Sequence, residues 1–295
     1  MAKFNIYTYM FAPVVHTEDE PDFCEDFEQT IEESLNKKQE ILSSFFEDDF
    51  KFNFRDSEGT YFHKWLVKQD GIFVLRIANN KATTIETNFE ELIIPNYPSL
   101  IVIIDNRHNR QVIAIQKSKA WSKTSDVANI LQETFNSLLR PKYRIQLSIN
   151  PKFHTHEFWK IVKDFPNGIL KVTFHFPYPN LPAISDLVGE FYKEVALETN
   201  SEPSTTLSVI PKQKTVKLEE TSFLLKNMIA ACAASGKPII MEPRGGTKIR
   251  CGENNLVEEV LSDAALDDLS DKDELFKSKM ELLVKFLNKI KLVYE

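Results

Sequence analysis

The residues whose types and spacing could do chemistry lie mostly in the middle of the chain. Arg107, Arg110, Lys117, Lys119 and Lys123 are followed by Arg140, Lys142, Arg144 and Lys152, with Trp121, Tyr143, Phe153, Phe158 and Trp159 between them. Lys and Arg neutralise phosphates and release counterions, and aromatic rings stack on unpaired bases. The pattern points to DNA or RNA binding. Arg107 and Arg110 fall in one short polar turn, where they would probe a groove or a backbone. A solvated surface whose cations pair with acids elsewhere in the chain gives the same composition.

Other constellations are less complete. His154-Thr155-His156-Glu157 offers two imidazoles and a carboxylate, and neutral imidazole is a common metal ligand. The spacing is poor, because alternate residues of a helix point to different sides, so no metal is assigned. Asp105 at a strand end invites comparison with metal-dependent nucleases that follow such an acid with an acid-x-lysine. Here the next strand ends Gln116-Lys117-Ser118-Lys119 and the second acid is missing. A nuclease would have to use Asp105, His154, His156 and Glu157. Pro243-Arg244-Gly245-Gly246-Thr247-Lys248 lacks the GxxxxGK[ST] order of a phosphate loop and reads as a hairpin turn. No GxSxG elbow occurs. No catalytic residue is assigned, and nothing calls for a cofactor.

Composition narrows the classes. Cys24, Cys232 and Cys251 form neither a disulfide framework nor a zinc ribbon and read as buried thiols of a reducing compartment. The start shows no signal-peptide pattern, and no apolar run is long enough for a membrane span. The expectation is a cytoplasmic protein without a membrane partner. The net charge of −7 hides an asymmetry. Glu18–Asp49 holds 13 acids and two lysines, and 253–276 holds nine acids and one lysine. Between them, 106–171 carries 12 Lys and Arg against four acids, a local balance of +8.

The elements that must position these residues follow from periodicity. Strands are expected at 3–11, 49–54, 60–67 and 71–78, with a helix over 25–46 and a turn at Asp70-Gly71. Residues 100–105 form a continuous apolar run, which predicts a strand buried on both faces. Residues 111–117 return as its hairpin partner. A helix starts at Thr124 or Ser125 and stops at Leu139 before Pro141. Beyond it come a strand at 143–149, a helix at 154–164, a strand at 169–176, a stiff loop at 177–182 and a helix at 184–198. Strands at 205–210 and 214–219, a helix at 222–234, and strands at 238–242 and 247–251 complete that part. Residues 253–274 read as an acidic, flexible linker. Phe276, Met280, Leu283, Leu287 and Ile290 form a seam on a final helix, suited either to docking on the chain's own domain or to a partner or homo-oligomer interface.

The fold class is therefore α+β, with mixed, mostly antiparallel sheet layers packed with helices, plus an acidic segment and a C-terminal helix. The division expected is 1–141, 142–252 and 253–295. Asn96-Tyr97-Pro98, Ile103-Ile104-Asp105-Asn106-Arg107 and Ala114-Ile115-Gln116-Lys117-Ser118 resemble a segment of uncharacterised bacterial proteins associated with mobile elements and anti-phage defence islands. The resemblance spans about residues 70–250. It implies a defence setting and carries over no active residues. Taken with the basic middle, it suggests a non-catalytic recognition component that binds DNA, RNA or a protein partner. A metal-dependent nuclease and a structural or regulatory oligomer are the alternatives.

Overall fold

The computed structural model describes residues 1–14, 30–47, 51–53, 60–87, 89–176, 205–211, 215–252, 256–266, 269 and 275–291. The expectations for Cys24, for the loop at 177–182 and the helix at 184–198, and for most of the acidic stretches lie outside these residues. Strand β1 (Ala2–Pro13) organises the chain. It is followed by α1 (Ile31–Asn36), α2 (Lys38–Glu47), β2 (Phe52–Asn53), β3 (Thr60–Tyr61), β4 (His63–Gln69), β5 (Ile72–Ala78), β6 (Lys81–Thr87), β7 (Glu90–Asn96), β8 (Ser99–Asp105) and β9 (Val112–Gln116). Then come α3 (Thr124–Tyr143), β10 (Ile145–Pro151), α4 (His156–Asp164), β11 (Ile169–Phe176), β12 (Thr205–Val209), α5 (Phe223–Ser235), β13 (Ile239–Pro243) and β14 (Ile249–Cys251). The last elements are β15 (Glu258–Leu261) and α6 (Phe276–Lys289). The fold is α+β, and every strand pair among the described residues is antiparallel.

The main sheet runs β10-β1-β9-β8-β5-β4, with β15 also on β1. Alternation along β1 explains why it must be covered twice. Tyr7, Tyr9 and Phe11 join the core under α1–α3, whereas Phe4 and Ile6 join the core under α6. The apolar run of β8 behaves as its sequence predicts. Leu100, Val102 and Ile104 enter the first core, and Ile101 and Ile103 enter the second. The β4–β5 turn uses Asp70 (φ 51°) and Gly71 (φ 74°), and a Cβ at Gly71 would sit 3.2 Å from the Arg107 backbone. A second sheet, β12-β11-β13-β14, packs with α4 and α5 around Phe158, Val172, Phe174 and Met241. Met10 of β1 reaches into this third core, and the Thr8 hydroxyl donates to the Ala234 carbonyl of α5 at 2.8 Å.

Several boundaries differ from expectation. Helix α3 continues through Pro141 to Tyr143. Near a helix end proline removes a single intrahelical bond, and its fixed φ is helical. Arg144 then stops the helix in the left-handed conformation (φ 54°). The expected division at 141/142 is not followed either. β10 pairs with β1 over seven residue pairs, and β15 and α6 return to the same sheet from the far end of the chain. Residues 256–266, expected to be a flexible linker, form β15 and a short turn of helix at Asp263–Ala265. The described residues from Thr215 to Glu219 are not a strand. Strands β6 and β7 were not anticipated. They form a separate two-stranded ribbon, exposed wherever its side chains are described.

Candidate anion-binding cleft

The structure divides the basic middle into cations used by the fold and cations left at a cleft. Arg107 and Arg110 belong to the first group, which corrects their expected use as a probe. Asp105 is fully buried at the end of β8. It accepts from Arg107 Nε at 2.8 Å and Nη2 at 2.7 Å, and from Arg110 Nε at 2.9 Å. A carboxylate removed from water needs such paired, hydrogen-bonded partners. The hydrogen bond to Asp105 raises the Arg107 pKa. The same guanidiniums reach the C-terminal helix. Arg110 donates to the Leu287 carbonyl and, at 3.1 Å, to the Ile290 carbonyl, and Arg107 donates to Asn288 Oδ1 at 3.1 Å.

Fully buried Lys152 donates to the Lys291 carbonyl beside them. Burial first, and then the Arg110 charge, lower its pKa to about 7. These cations therefore gather at the C-terminal end of α6, where the helix dipole is negative. The seam they anchor is used within the chain. Leu283, Leu287 and Ile290 are buried against the main sheet, with Phe276 and Met280 packed at the edge. Of the two uses expected for the seam, this is docking on the chain's own domain.

The nuclease set does not assemble. Asp105 is enclosed by its arginines, while Glu157 Oε2 accepts the Gly252 amide at 2.9 Å. The His154 and His156 rings lie 5.2 Å apart, and burial, then His156, then Lys152 lower the His154 pKa. Among the described residues no three His, Cys, Asp or Glu side chains are grouped to hold a metal ion. Burial raises both described thiols, Cys251 to about 12. Of the interleaved aromatics, Trp121, Phe153 and Phe158 are buried core residues, and Trp121 and Phe153 also form part of the wall of the cleft between the two sheets. Lys142 lies over the Tyr143 ring, and Arg140 donates to Gln146 Oε1 at 2.7 Å. Exposed Lys119 has its backbone carbonyl bonded by Lys81 Nζ.

What remains is a cleft of about 720 Å³ between the two sheets. Asn5, Tyr7, Lys117, Ser118, Lys123 and Ser125 line one side, and Gly236, Pro238, Arg250 and Gly252 the other. The N-terminus of the 20-residue α3 opens into it. The residue at its cap position is Lys123, whose side chain makes no capping bond. First-turn amides without a side-chain acceptor, the positive helix end and serine hydroxyls suit an anion. The helix is fixed in place because Thr124 Oγ1 is 2.8 Å from both Asn5 Nδ2 and Tyr7 Oη. Burial, opposed by the bond to Thr124, pushes the Tyr7 hydroxyl up to about 12 and keeps it protonated. Lys117 is partly neutralised by Glu258 at 2.7 Å, an acid that also pairs with Lys3 at 3.0 Å. The Lys117 and Lys3 bonds lower the Glu258 pKa. Lys117, Lys123 and Arg250 are the basic side chains that line the cleft.

Sequence reasoning found Lys117 and Lys123 and missed Arg250. Arg250 lies far from the basic middle in sequence, on β14, and only long-range pairing brings β14 opposite α3. The serines at 118, 122 and 125 were the available local signal. No helix among the described residues is long and apolar enough to cross a membrane. No protein-family model and no curated protein matches this chain.

Proposed function

We propose that this protein is a non-catalytic recognition component that binds a phosphate-bearing ligand, foremost nucleic acid, in the cleft between its two sheets. One observation carries the reading: the side-chain-uncapped N-terminus of α3 opens, with Lys123 and Arg250, into a cleft of about 720 Å³. That volume lies within the range of ligand sites. The narrow group of cations, on a chain of net charge −7, favours a strand end or a short single-stranded segment over a long duplex. A prokaryotic defence or mobile-element setting rests on the resemblance of residues 96–118.

The test is fluorescence anisotropy with labelled single- and double-stranded DNA and RNA at two salt concentrations, with and without divalent metal. Salt-sensitive binding without cleavage is expected. A Lys123→Gln/Arg250→Gln variant should bind at least about tenfold more weakly, with the salt slope reduced by about 1.4 for two lost single-strand phosphate contacts. Wild-type affinity in that variant, or no binding by the native chain, would refute the site. Cleavage would restore the nuclease alternative.

A further inference from the structure

We propose that the β6–β7 ribbon is a dimerisation arm. Two copies of this chain pair their arms antiparallel about a two-fold axis, and the tip of each arm seats on the root of the other. Among the described residues the ribbon pairs only with itself, and it carries exposed Ile85, Leu92, Ile93 and Ile94 on its two faces. Exposed apolar strands with open edges are usually suppressed in monomers. The chain closes such an edge elsewhere: Asn136 and Gln132 of α3 bond the backbone of β10 as a substitute strand. β6 and β7 are each seven residues long, so the arm reaches roughly 23 Å at about 3.3 Å per residue.

The two ends of the arm identify the occupant. Its tip carries Glu86, Glu90 and Glu91, all exposed, and Phe89, which is 98% exposed. Its root carries Lys81, bonded to the Lys119 carbonyl, with the Lys119 side chain exposed beside it. The root also presents the exposed aromatic pair Phe62 and Tyr97, with ring centroids 5.2 Å apart. The root is held to the body by Asn79 Nδ2, which donates to the Ala120 carbonyl at 2.7 Å. Antiparallel two-fold pairing lays each tip over the other root, so acids meet lysines and Phe89 meets an aromatic pair twice. This self-complementarity is what an isologous interface requires. Pro95 leaves β7 one donor short, and proline in a strand confines pairing to the other side, so β6 is the edge that adds. Centring the axis on Thr84 sets Thr83 opposite the partner's Ile85.

Mass measurement by light scattering over a concentration series tests the proposal. The native chain should reach twice 34.1 kDa. Phe89→Asn suits the position's positive φ (65°) and removes a side chain exposed to solvent, so it should fold normally and weaken the dimer at least tenfold. A tip-reversed variant, Glu90→Lys/Glu91→Lys, and a root-reversed variant, Lys81→Glu/Lys119→Glu, should each be monomeric alone and dimerise when mixed. Only a two-fold tip-on-root contact restores both ends in the mixture. A native chain at one subunit mass at every concentration, a mass above two subunits, native-like dimerisation of Phe89→Asn, or no rescue on mixing would each overturn it.

Discussion

Asp105 shows how far a single residue's surroundings can redirect a reading of charge. Its two arginines stand two and five positions away, close enough to fold back on it within one turn, and the buried carboxylate gives them reason to do so. Removing that carboxylate leaves two guanidiniums half-buried against each other. Asp105→Asn should cost about 3 kcal/mol of unfolding free energy, measured by urea denaturation. Arg107→Gln/Arg110→Gln should lower stability in the same assay and leave oligonucleotide affinity unchanged, which separates the cations of the fold from those of the cleft. The sequence made part of this legible. Asp105 reads correctly as a residue of the hairpin turn. The outward reading of Arg107 and Arg110 failed because their other acceptors, Asn288 Oδ1 for Arg107 and the Leu287 and Ile290 carbonyls for Arg110, lie some 180 positions further on.

At the scale of elements, local pattern located most strands and helices, and long-range pairing decided their partners. The continuous apolar run of β8, the turn at Asp70-Gly71 and the seam of α6 all carry periodic or turn signals. What no local signal carries is that β1 accepts β9 on one edge and both β10 and β15 on the other. The β6–β7 arm was missed for a related reason: apolar residues on both faces, with no buried side, break the alternation that marks a strand. The docking of α6 makes a pH prediction. An unfolded lysine titrates near 10.4, whereas Lys152 in the fold titrates at about 7. Between those values the unfolded chain holds the proton more often, so stability rises with pH across this window, by up to about 1.4 kcal/mol per pH unit. Lys152→Met should remove this rise, and denaturation midpoints from about pH 7 to about pH 9 will show whether the slope flattens.

At the scale of the molecule, the basic middle and the C-terminal acidic stretch meet on the main sheet through Glu258. Glu258 from the acidic tail neutralises Lys3 and Lys117, and the middle's arginines hold the C-terminal helix. Lys123 and Arg250 both line the cleft where the two sheets face each other. Like charges brought together without a ligand oppose folding. An anion bridging them stabilises the native state in proportion to its occupancy, by about 2.7 kcal/mol at a hundredfold excess over Kd. The melting temperature should therefore rise with added short oligonucleotide and lose that rise at high salt. Lys123→Gln/Arg250→Gln should show no such rise with ligand. A site maintained only for packing would leave the ligand response intact in the variant, so calorimetry on the two proteins with and without oligonucleotide decides between a cleft kept for binding and one that only joins the sheets.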